Sequence, residues 1–404
     1  MPRKRRRAFL EAAKAVAIET QVARATKPAG SIRVQNIAIL GGAHDMHTAM
    51  VKWGLERLGI AELTVWSWYD YPSSLGSTIN LPSKGDVNVS IGAGLPASFD
   101  TIWYRRPGSP AAHPDAHPAD VKFVESEASD YVANALHFLG NDSTLWVNHP
   151  DARHTARNKA VQLAVAREIG FSIPDTIFSN CPEQIRQFFR EHDGEIIYKP
   201  FRPAEWRISG DDSERIITLP TTVLSEKDIQ DDFAISTCPG IYQRKIRAQY
   251  EVRATVIGPN IICCKILSQE HSNVIDWRHD LNRGRIAAEP YELPSNVFDM
   301  CQEFCRRMGL EFGCIDLIVD KNGDHIFIEV NESGQFLWKE QMLPDLPLLD
   351  SFCRFLARGE GQREHRLRLT DYLASDQRSV DRQSLEDEYS TNNKLLAEWR
   401  LYRE

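Results

Sequence analysis

The sequence lacks long apolar runs and cysteine patterns of the metal-binding kind. No hydrophobic stretch in its 404 residues approaches the roughly 18 residues that cross a bilayer. The basic start has no apolar core of the kind found in signal peptides. The eight cysteines form no C-x-x-C or zinc-ligand pattern. These absences predict a cytoplasmic protein without membrane association, whose thiols are reduced and mostly buried.

Positive charge is also scarce. The formal net charge is −8, which argues against a nucleic-acid-binding surface over the whole molecule. Residues 1–33 are the exception, with nine Lys or Arg against two Glu. Three explanations of this basic arm stay open: a solvated extension, a mis-assigned start codon, or a contact for an acidic partner.

A dinucleotide-binding fingerprint is missing as well. A predicted strand at 36–40 runs into Gly41-Gly42, but the full G-x-G-x-x-G spacing is absent, so we interpret the glycines as a tight strand-to-helix turn. A predicted helix at 46–58 and a predicted strand at 63–68 follow. The pattern is typical of an α/β domain.

The length of the chain allows two or three domains, each with its own core. Strands and helices mix along the whole sequence, so we expect the α/β (α+β) class. Five regions are predicted: a basic extension at 1–35, an α/β domain at 36–144, a central subdomain at 145–245, a C-terminal subdomain at 246–360 and a charged tail at 361–404. The tail is expected to form an amphipathic or partly solvated helix.

The most informative segment is a predicted β-hairpin between residues 313 and 331. Two β-rich runs flank the turn sequence Lys321-Asn-Gly-Asp324. Because side chains alternate between faces along a strand, Asp316 can share a face with Glu329 and Asn331 of the next strand. Mg²⁺ is usually held by one or two carboxylates together with substrate phosphates. The hairpin therefore predicts a magnesium-nucleotide site, the alternative being ordinary acidic residues in a hairpin.

Further residue types suited to a nucleotide precede this hairpin. Lys159 lies in the first turns of a predicted helix at 155–170. The other candidates lie on predicted strands: Lys199, Gln243, Lys245, Glu251 and Arg253. None of them is diagnostic alone, but together they form an inventory suited to binding phosphates, a base and a ribose.

Taken in this order, these residues resemble the ATP-grasp superfamily. The resemblance covers about residues 145–360, with 36–140 in the place of the α/β domain that precedes the ATP-binding part. It implies ATP and Mg²⁺ as cofactors, and a ligase that activates a carboxylate as an acyl phosphate and releases ADP. The implied roles are phosphate contact for Lys159 and Lys199, an adenine-binding hinge at Gln243, Lys245 and Ile246, ribose contact for Glu251, and metal ligation by Asp316, Glu329 and Asn331.

A narrower resemblance is carried by four runs. They are Trp103-Tyr-Arg-Arg-Pro107, Asn158-Lys-Ala-Val-Gln-Leu163, Asp276-Trp-Arg278 and Glu329-Val-Asn-Glu-Ser-Gly-Gln-Phe-Leu-Trp338. These look like the graspetide (microviridin-type) macrocyclases, which are ATP-grasp maturases of ribosomal peptides. The resemblance implies that a precursor-peptide Asp or Glu side chain is phosphorylated and then attacked by a Ser or Thr hydroxyl or a Lys amine. It also implies a homodimer.

The same resemblance implies roles toward the peptide. Lys199, Arg253 and Arg278 would act in catalysis by stabilising the transferred phosphoryl charge or the acceptor carboxylate. Substrate contacts are implied for Arg105, Arg106, Asp276, Arg278 and Trp206. For the arginines, a surface or interdomain ion pair is the alternative.

The chain departs from ATP-grasp ligases after Lys199-Pro200. The glycine-rich lid common there is replaced by Phe201-Arg-Pro-Ala-Glu-Trp206. The resemblance to the peptide maturases, in which a hairpin and helix at this place receive the leader helix of the precursor, implies that residues 206–235 are a docking surface. A short β-excursion that covers ATP is the alternative.

Two other functions remain open at this stage. One is a stand-alone carboxylate-amine ligase acting on amino acids or small peptides, which needs no leader-docking surface. The other is a non-catalytic ATP-binding module, which incomplete metal ligands would favour. No role is assigned to Glu332, which follows the predicted ligands.

Overall fold

The structure is a computed structural model of the chain. It describes residues 34–42, 45–59, 61–68, 71–72, 76–91, 99–201, 205–209, 214–218, 221–267, 287–359 and 366–391. For 205–209, 214–218 and 384–391 only the backbone is described. The predicted substrate residues Asp276 and Arg278, the basic arm and the side chain of Trp206 lie outside the described part.

The N-terminal domain is built on a parallel sheet. In chain order its elements are β1 (Gln35–Leu40), α1 (Met46–Leu58), β2 (Ala61–Trp66), β3 (Ser77–Asn80), β4 (Asn88–Ile91), β5 (Thr101–Tyr104), α2 (Val121–Leu136) and β6 (Leu145–Val147). Four strands pair in parallel in the order β2-β1-β5-β6, while β3 and β4 form a separate antiparallel hairpin. The α/β class is confirmed, and the sheet continues past the expected boundary at residue 144.

Helix α1 has the predicted bounds because both of its ends are capped. The Asp45 carboxylate accepts hydrogen bonds from the backbone N–H groups of His47 and Thr48 at 2.8 and 3.2 Å. The helix ends at Gly59, whose φ of 63° lies in the left-handed region that glycine adopts without strain. The capped start also fixes the position of His47 in the first turn of the helix.

The single helix predicted at 155–170 is wrong. The structure has two helices, α3 (Pro150–Ala156) and α4 (Lys159–Ile169). Asn158 separates them, because its backbone is extended and its side chain accepts a hydrogen bond from the backbone N–H of Val161, as in an N-cap. Lys159 is therefore the first residue of α4 instead of lying within a longer helix.

The central part of the chain forms a second, antiparallel sheet. Its elements are β7 (Thr176–Ser179), α5 (Pro182–Glu191), β8 (Ile196–Lys199), β9 (Glu205–Ser209), β10 (Glu214–Thr218), β11 (Thr222–Val223), α6 (Asp232–Thr237) and β12 (Gly240–Arg244). The sheet order is β11-β8-β12-β7, and β9 pairs with β10 as a separate hairpin. A small apolar core that includes Ile185, Phe188 and Ile196 lies against this sheet.

The third sheet is antiparallel and carries the predicted metal hairpin. Its elements are β13 (Ala248–Ile257), β14 (Asn260–Leu267), β15 (Ala287–Tyr291), α7 (Ser295–Met308), β16 (Phe312–Asp320) and β17 (His325–Asn331). The strand order is β15-β14-β13-β16-β17, so the hairpin predicted between residues 313 and 331 is confirmed, and β13 and β14 form a second one. Alternation places Val252, Ala254 and Leu317 in the core shared with α7. Arg253 and Asp316 belong to the opposite face.

The C-terminal segment is helical, and several of its apolar side chains belong to the core, which agrees with the amphipathic helix predicted for the charged tail. It contributes α8 (Trp338–Met342), α9 (Leu348–Leu356), α10 (Leu369–Leu373) and α11 (Asp376–Thr391). Leu367, Leu369 and Tyr372 are buried, and the Tyr372 ring meets Trp53 of α1 edge-on at 5.6 Å between ring centroids. Charged residues separate these apolar side chains in the sequence, so the sequence does not show that the segment is buried.

All eight cysteines are free thiols, and six of them are buried. Burial raises the pKa of Cys263 and of Cys305 to about 12, which keeps both thiols protonated and unreactive. None of the helices in the described ranges is long and apolar enough to cross a membrane.

Asn148 joins the N-terminal domain to the third sheet. Its amide oxygen accepts hydrogen bonds from the backbone N–H groups of Glu311 and Phe312 at 2.8 and 2.9 Å. Its amide nitrogen donates to the carbonyls of Phe312 and Glu332 at 2.8 and 2.9 Å. The buried side chain thus satisfies four backbone groups, which are costly to leave unpaired.

We expect Asn148→Ala to lower the free energy of unfolding by about 3 kcal/mol, because it leaves buried N–H and C=O groups without partners. Chemical denaturation measures this loss. Asn134→Ala is the matched control, since the exposed Asn134 side chain bonds only within its own helix turn. An equal, small effect of both changes would contradict the proposed junction role of Asn148.

Candidate functional site

The three predicted metal ligands meet on one face of the third sheet. Asp316 of β16 lies directly opposite Glu329 of β17, and a register shift follows Asp316. Asn331, two residues beyond Glu329, has its amide nitrogen 3.3 Å from Oδ2 of Asp316 and 3.5 Å from Oε1 of Glu329. The alternation of the two strands therefore brings the three side chains together.

A cation accompanies each carboxylate. Arg253 lies opposite Asp316 in the strand register and pairs with it, and both side chains are almost fully buried. Lys159, at the start of α4, pairs with Glu329. Removing one partner of a buried ion pair typically costs about 3–5 kcal/mol, since the other charge is left without compensation. The site therefore holds two positive and two negative groups that depend on one another.

The donor set fits Mg²⁺ completed by phosphate oxygens and water. Among the described residues there is no group of three or more His, Cys, Asp and Glu side chains that would suit a metal held by protein alone. Two carboxylates and one amide are instead the inventory usual for magnesium bound together with a nucleotide. The Asn331 amide faces the carboxylates with its nitrogen, and a flip of the amide turns its oxygen toward them.

Helix α4 is fastened to β17 by Gln162, a residue that sequence reasoning left without a role. Its amide oxygen accepts from the backbone N–H of Val330 at 2.8 Å, and its amide nitrogen donates to the Val330 carbonyl at 3.1 Å. Gln162 is buried, so these bonds are shielded from water. They hold Lys159 and Glu329 in register, because the two residues lie on the elements that Gln162 connects.

The other predicted nucleotide residues line the second sheet and its link to the third. Lys199 of β8 donates to the amide oxygen of Gln243 at 3.0 Å, and the Gln243 amide nitrogen donates to Thr176 at 2.9 Å. Lys245 and Ile246 are half-buried in the connection between β12 and β13. Glu251 is half-buried on β13, two residues before Arg253. Their contacts with a nucleotide stay predictions.

The predicted substrate role of Arg105 does not fit its surroundings. Its guanidinium is 1% exposed, donates to Oδ2 of Asp45 at 3.1 Å, and donates to the carbonyls of Ser333 and, at 3.2 Å, Gly334. The alternative of an interdomain ion pair is favoured. Arg106, the next residue, is half-buried, and its role stays a prediction.

Charge compensation keeps Asp45 ionised in this buried place. Burial alone would raise the pKa of its carboxyl, but the nearby Arg105 and the backbone N–H of Thr48 help to hold it at about 2. Asp45 therefore acts as a fixed anion that both caps α1 and orients Arg105.

His47 is a site residue that sequence reasoning missed. Its Nε2 accepts hydrogen bonds from the backbone N–H groups of Phe336 and Leu337 at 2.9 and 3.2 Å. Burial and the Arg105 guanidinium hold the pKa of His47 well below its usual value, so the ring is neutral and can accept. Nothing in the sequence marks this residue, because its partners lie almost 290 positions away.

The segment that these side chains grip, residues 333–337, is called the junction turn below. It passes directly over Arg253, whose Nη2 donates to the Gln335 carbonyl at 3.5 Å. A Cβ added at Gly334 would lie 3.2 Å from that nitrogen and 2.8 Å from Sγ of Cys314. The sequence run Ser-Gly-Gln-Phe-Leu-Trp therefore needs its glycine, because the turn approaches Cys314 so closely.

Glu332 has a structural role on the side facing away from the metal ligands. Its carboxylate pairs with Arg157 at 3.0 Å and with Arg153 at 3.5 Å, both at α3. The Arg153 guanidinium also lies over the Tyr104 ring, 3.9 Å from its centroid. Glu332 thus helps to hold α3 and β5 to the end of β17.

Comparison with known proteins identifies the architecture. No protein-family model and no curated protein matches the chain, but solved structures do. The macrocyclase MdnC of Microcystis aeruginosa MRC, bound with precursor peptide MdnA, superposes with a TM-score of 0.68 at 23% identity over 80% of this chain and 100% of that one. The chain has the ATP-grasp fold. A RiPP-associated ATP-grasp ligase of Chryseobacterium gregarium, in complex with ADP and a leader and core peptide, gives 0.68 at 23% over 83% and 100%.

A third ATP-grasp structure is similar over the same extent. The ligase PsnB, complexed with a phosphomimetic variant of a minimal precursor, Mg and ADP, has a TM-score of 0.62 at 23% identity, covering 81% of this chain and 99% of that one. The three similarities agree in the ATP-grasp fold.

We expect the contribution of His47 to stability to fall as the pH drops below 6.5, by up to about 1.4 kcal/mol per pH unit. The reason is that the unfolded chain binds a proton at His47 there, while the folded chain does not. Denaturation of wild type and His47→Gln across this range measures the difference.

The comparison of the two proteins is needed because burial raises the pKa of Glu340 to about 7. The folded chain binds a proton at Glu340 before the unfolded chain does, so this group gives stability the opposite slope in the same window. Identical pH dependence of wild type and His47→Gln would contradict the buried neutral role of His47.

Proposed function

We propose that this protein is an ATP-dependent ligase that activates Asp or Glu side chains of a ribosomal precursor peptide and closes side-chain ester or amide macrocycles. The observation that carries the proposal is the cluster of Asp316, Glu329 and Asn331 with Arg253 and Lys159. It lies in an ATP-grasp fold similar to ligases whose structures contain ADP and precursor peptides.

The cluster suits phosphoryl transfer. When bound, ATP supplies the phosphoryl group and Mg²⁺ offsets its negative charge. Asp316, Glu329 and Asn331 would hold the metal, while Lys159 and Arg253 lie beside the carboxylates and can hold phosphate oxygens. We assign Lys199 to the phosphates as well. Gln243, Lys245 and Ile246 are assigned to the base, and Glu251 to the ribose.

The proposed reaction has two steps. An oxygen of the peptide carboxylate attacks the γ-phosphorus, and ADP leaves. A Ser or Thr hydroxyl or a Lys amine then attacks the acyl carbon, loses its proton, and displaces inorganic phosphate. A carboxylate is a poor electrophile until one of its oxygens belongs to a good leaving group. The protein contributes the positive charges of Arg253 and Lys199, which stabilise the negative charge of the phosphoryl group during its transfer. Asp276, Arg278 and Arg106 are proposed to hold the peptide carboxylate.

The hairpin β9–β10 with the helix that follows is proposed to receive the leader of the precursor. Among the residues that the structure describes, the hairpin is a separate two-stranded sheet whose outer edges do not pair with the central sheet. On α6, Phe233 is 80% exposed, the largest exposed fraction among the large apolar side chains of the described part. Trp206 belongs to β9. Residues 206–235 therefore combine strands and an apolar side chain suited to a helical peptide.

The setting of this activity is also proposed. We assign the enzyme to the cytoplasm, where ATP and newly made peptides are available, without a nucleic acid or membrane partner. A homodimer is the proposed assembly. The net charge of −8 fits the absence of nucleic acid.

The direct test is to incubate the protein with Mg-ATP and a candidate peptide encoded beside its gene, and to measure the peptide mass. We expect the loss of one water for each ring, dependent on ATP. An unchanged peptide, together with ADP formation stimulated by free amino acids, would instead identify a stand-alone carboxylate-amine ligase.

Glu329→Gln is expected to lower ADP formation by about 10²-fold or more, because the metal loses a charged ligand while the side-chain volume is kept. The loss should shrink as Mg²⁺ is raised. Asp324→Asn, an exposed carboxylate of the same hairpin, is the control and should keep wild-type turnover. Wild-type turnover of Glu329→Gln at limiting Mg²⁺ would rule out this metal site.

Phe233→Ser is expected to weaken binding of a leader-bearing peptide about 10-fold or more, with ATP binding unchanged, because the side chain is too exposed to support the fold. Fluorescence anisotropy of a labelled leader measures the first quantity and nucleotide titration the second. Phe123→Ser on α2, which removes another exposed aromatic, is the control. Equal loss of leader and ATP binding would favour the cover over ATP.

A further inference from the structure

We propose that Asp45, His47 and Arg105 of the N-terminal domain are positioning residues that set the guanidinium of Arg253 through the junction turn, residues 333–337. The inference rests on the proposed function, since it assigns these residues an effect on phosphoryl transfer. None of the three needs to touch substrate.

Side chains of the N-terminal domain hold several backbone groups of the junction turn. Arg105 donates to the carbonyls of Ser333 and Gly334, and His47 accepts hydrogen bonds from the N–H groups of Phe336 and Leu337. Four neighbouring backbone groups thus depend on two side chains from the N-terminal domain. Because both side chains are buried, water cannot easily replace either contact.

The two holding side chains share one rigid base. Asp45 caps α1 with one carboxylate oxygen, at the first turn that carries His47, and receives Arg105 with the other. The helix start, His47 and Arg105 are therefore fixed relative to one another. A displacement of any of them moves the junction turn.

The other side of the turn rests on Arg253. The Gln335 carbonyl is 3.5 Å from Nη2 of Arg253, and a methyl group at Gly334 would lie 3.2 Å from the same nitrogen. The Nη1 atom of Arg253 pairs with Asp316 of the metal site. Arg253 is thus held between the metal site and the turn, so the position of the turn selects the direction of the guanidinium.

The direction matters because guanidinium binds oxyanions through a planar fork. A small misplacement of a charged group near the transferred phosphoryl lowers the rate more than it lowers affinity for ATP. A contact that only joined domains would affect stability instead, and would leave the rate of the folded enzyme unchanged.

The test is a double-mutant cycle between Arg105→Lys and Arg253→Lys. Lysine at 105 keeps the charge beside Asp45 but loses the guanidinium fork, in which Nε reaches Asp45 while Nη1 reaches the two carbonyls. We expect Arg105→Lys to lower kcat about 10-fold or more with KM for ATP changed less than about twofold, and to add little further loss in the Arg253→Lys background.

Arg358→Lys is the matched control. The Arg358 side chain also donates to two backbone carbonyls across the same domains, those of Asp100 and Ser143, but at the opposite end of β5 from Arg105. It is expected to lower the Tm without changing kcat. Wild-type kcat for Arg105→Lys, or full multiplication of its loss with that of Arg253→Lys, would overturn the proposal.

A further variant covers the case in which Arg105→Lys does not fold, and a further measurement needs no substrate. Gly334→Ala places a methyl group 2.8 Å from Cβ and Sγ of Cys314 and 3.2 Å from Nη2 of Arg253, so it displaces the junction turn and should lower kcat even if Arg105→Lys does not fold. The same cycle measured as Tm shifts needs no substrate, and less-than-additive shifts are expected. If wild type neither hydrolyses ATP nor modifies a peptide while the shifts remain coupled, the proposed function fails and the positioning contact stands. Additive Tm shifts overturn the positioning contact itself.

Discussion

Arg253 and Asp316 pair across neighbouring strands of the third sheet, with almost no exposure of either side chain. Charges at this depth are stable only together, because each has given up its hydration and depends on the other for compensation. The pair therefore constrains everything near it. Glu329 of the neighbouring strand β17 also forms an ion pair, with Lys159 of helix α4. The junction turn lies over the guanidinium of Arg253. A site with matched charges can exchange these pairs for metal and phosphate without leaving any charge alone.

The parts that follow from local sequence could be predicted. Alternation along two strands was enough to bring Asp316, Glu329 and Asn331 to one face, since that relation depends only on the period of a strand and a tight turn. The helix predicted at 46–58 has these bounds in the structure, where Asp45 and Gly59 cap its two ends. The same chemistry was overlooked at Asn158, where a cap divides what the apolar pattern presents as one helix.

The parts that depend on distant contacts could not be predicted. In the sequence, His47 resembles an ordinary helical histidine and Arg105 a substrate-binding arginine. Their partners in the junction turn lie more than 220 residues away. The buried segment near Tyr372 was hidden by the charges that surround it. In each case the deciding quantity is burial, which a single sequence does not reveal for polar residues. The ATP-grasp fold is shared at 23% identity with the matched ligases, so the similarity supports the architecture and leaves specificity to the side chains.

The central claim is that a peptide carboxylate becomes an acyl phosphate in this site. The most direct measurement uses a candidate precursor whose Asp and Glu carboxylates carry heavy oxygen, and follows the isotope into inorganic phosphate by mass spectrometry. Carboxylate activation predicts that each ring formed transfers one labelled oxygen to phosphate, because the attacking oxygen leaves with the phosphoryl group. Rings formed with unlabelled phosphate would contradict the account, since the carboxylate would then have been activated by another route.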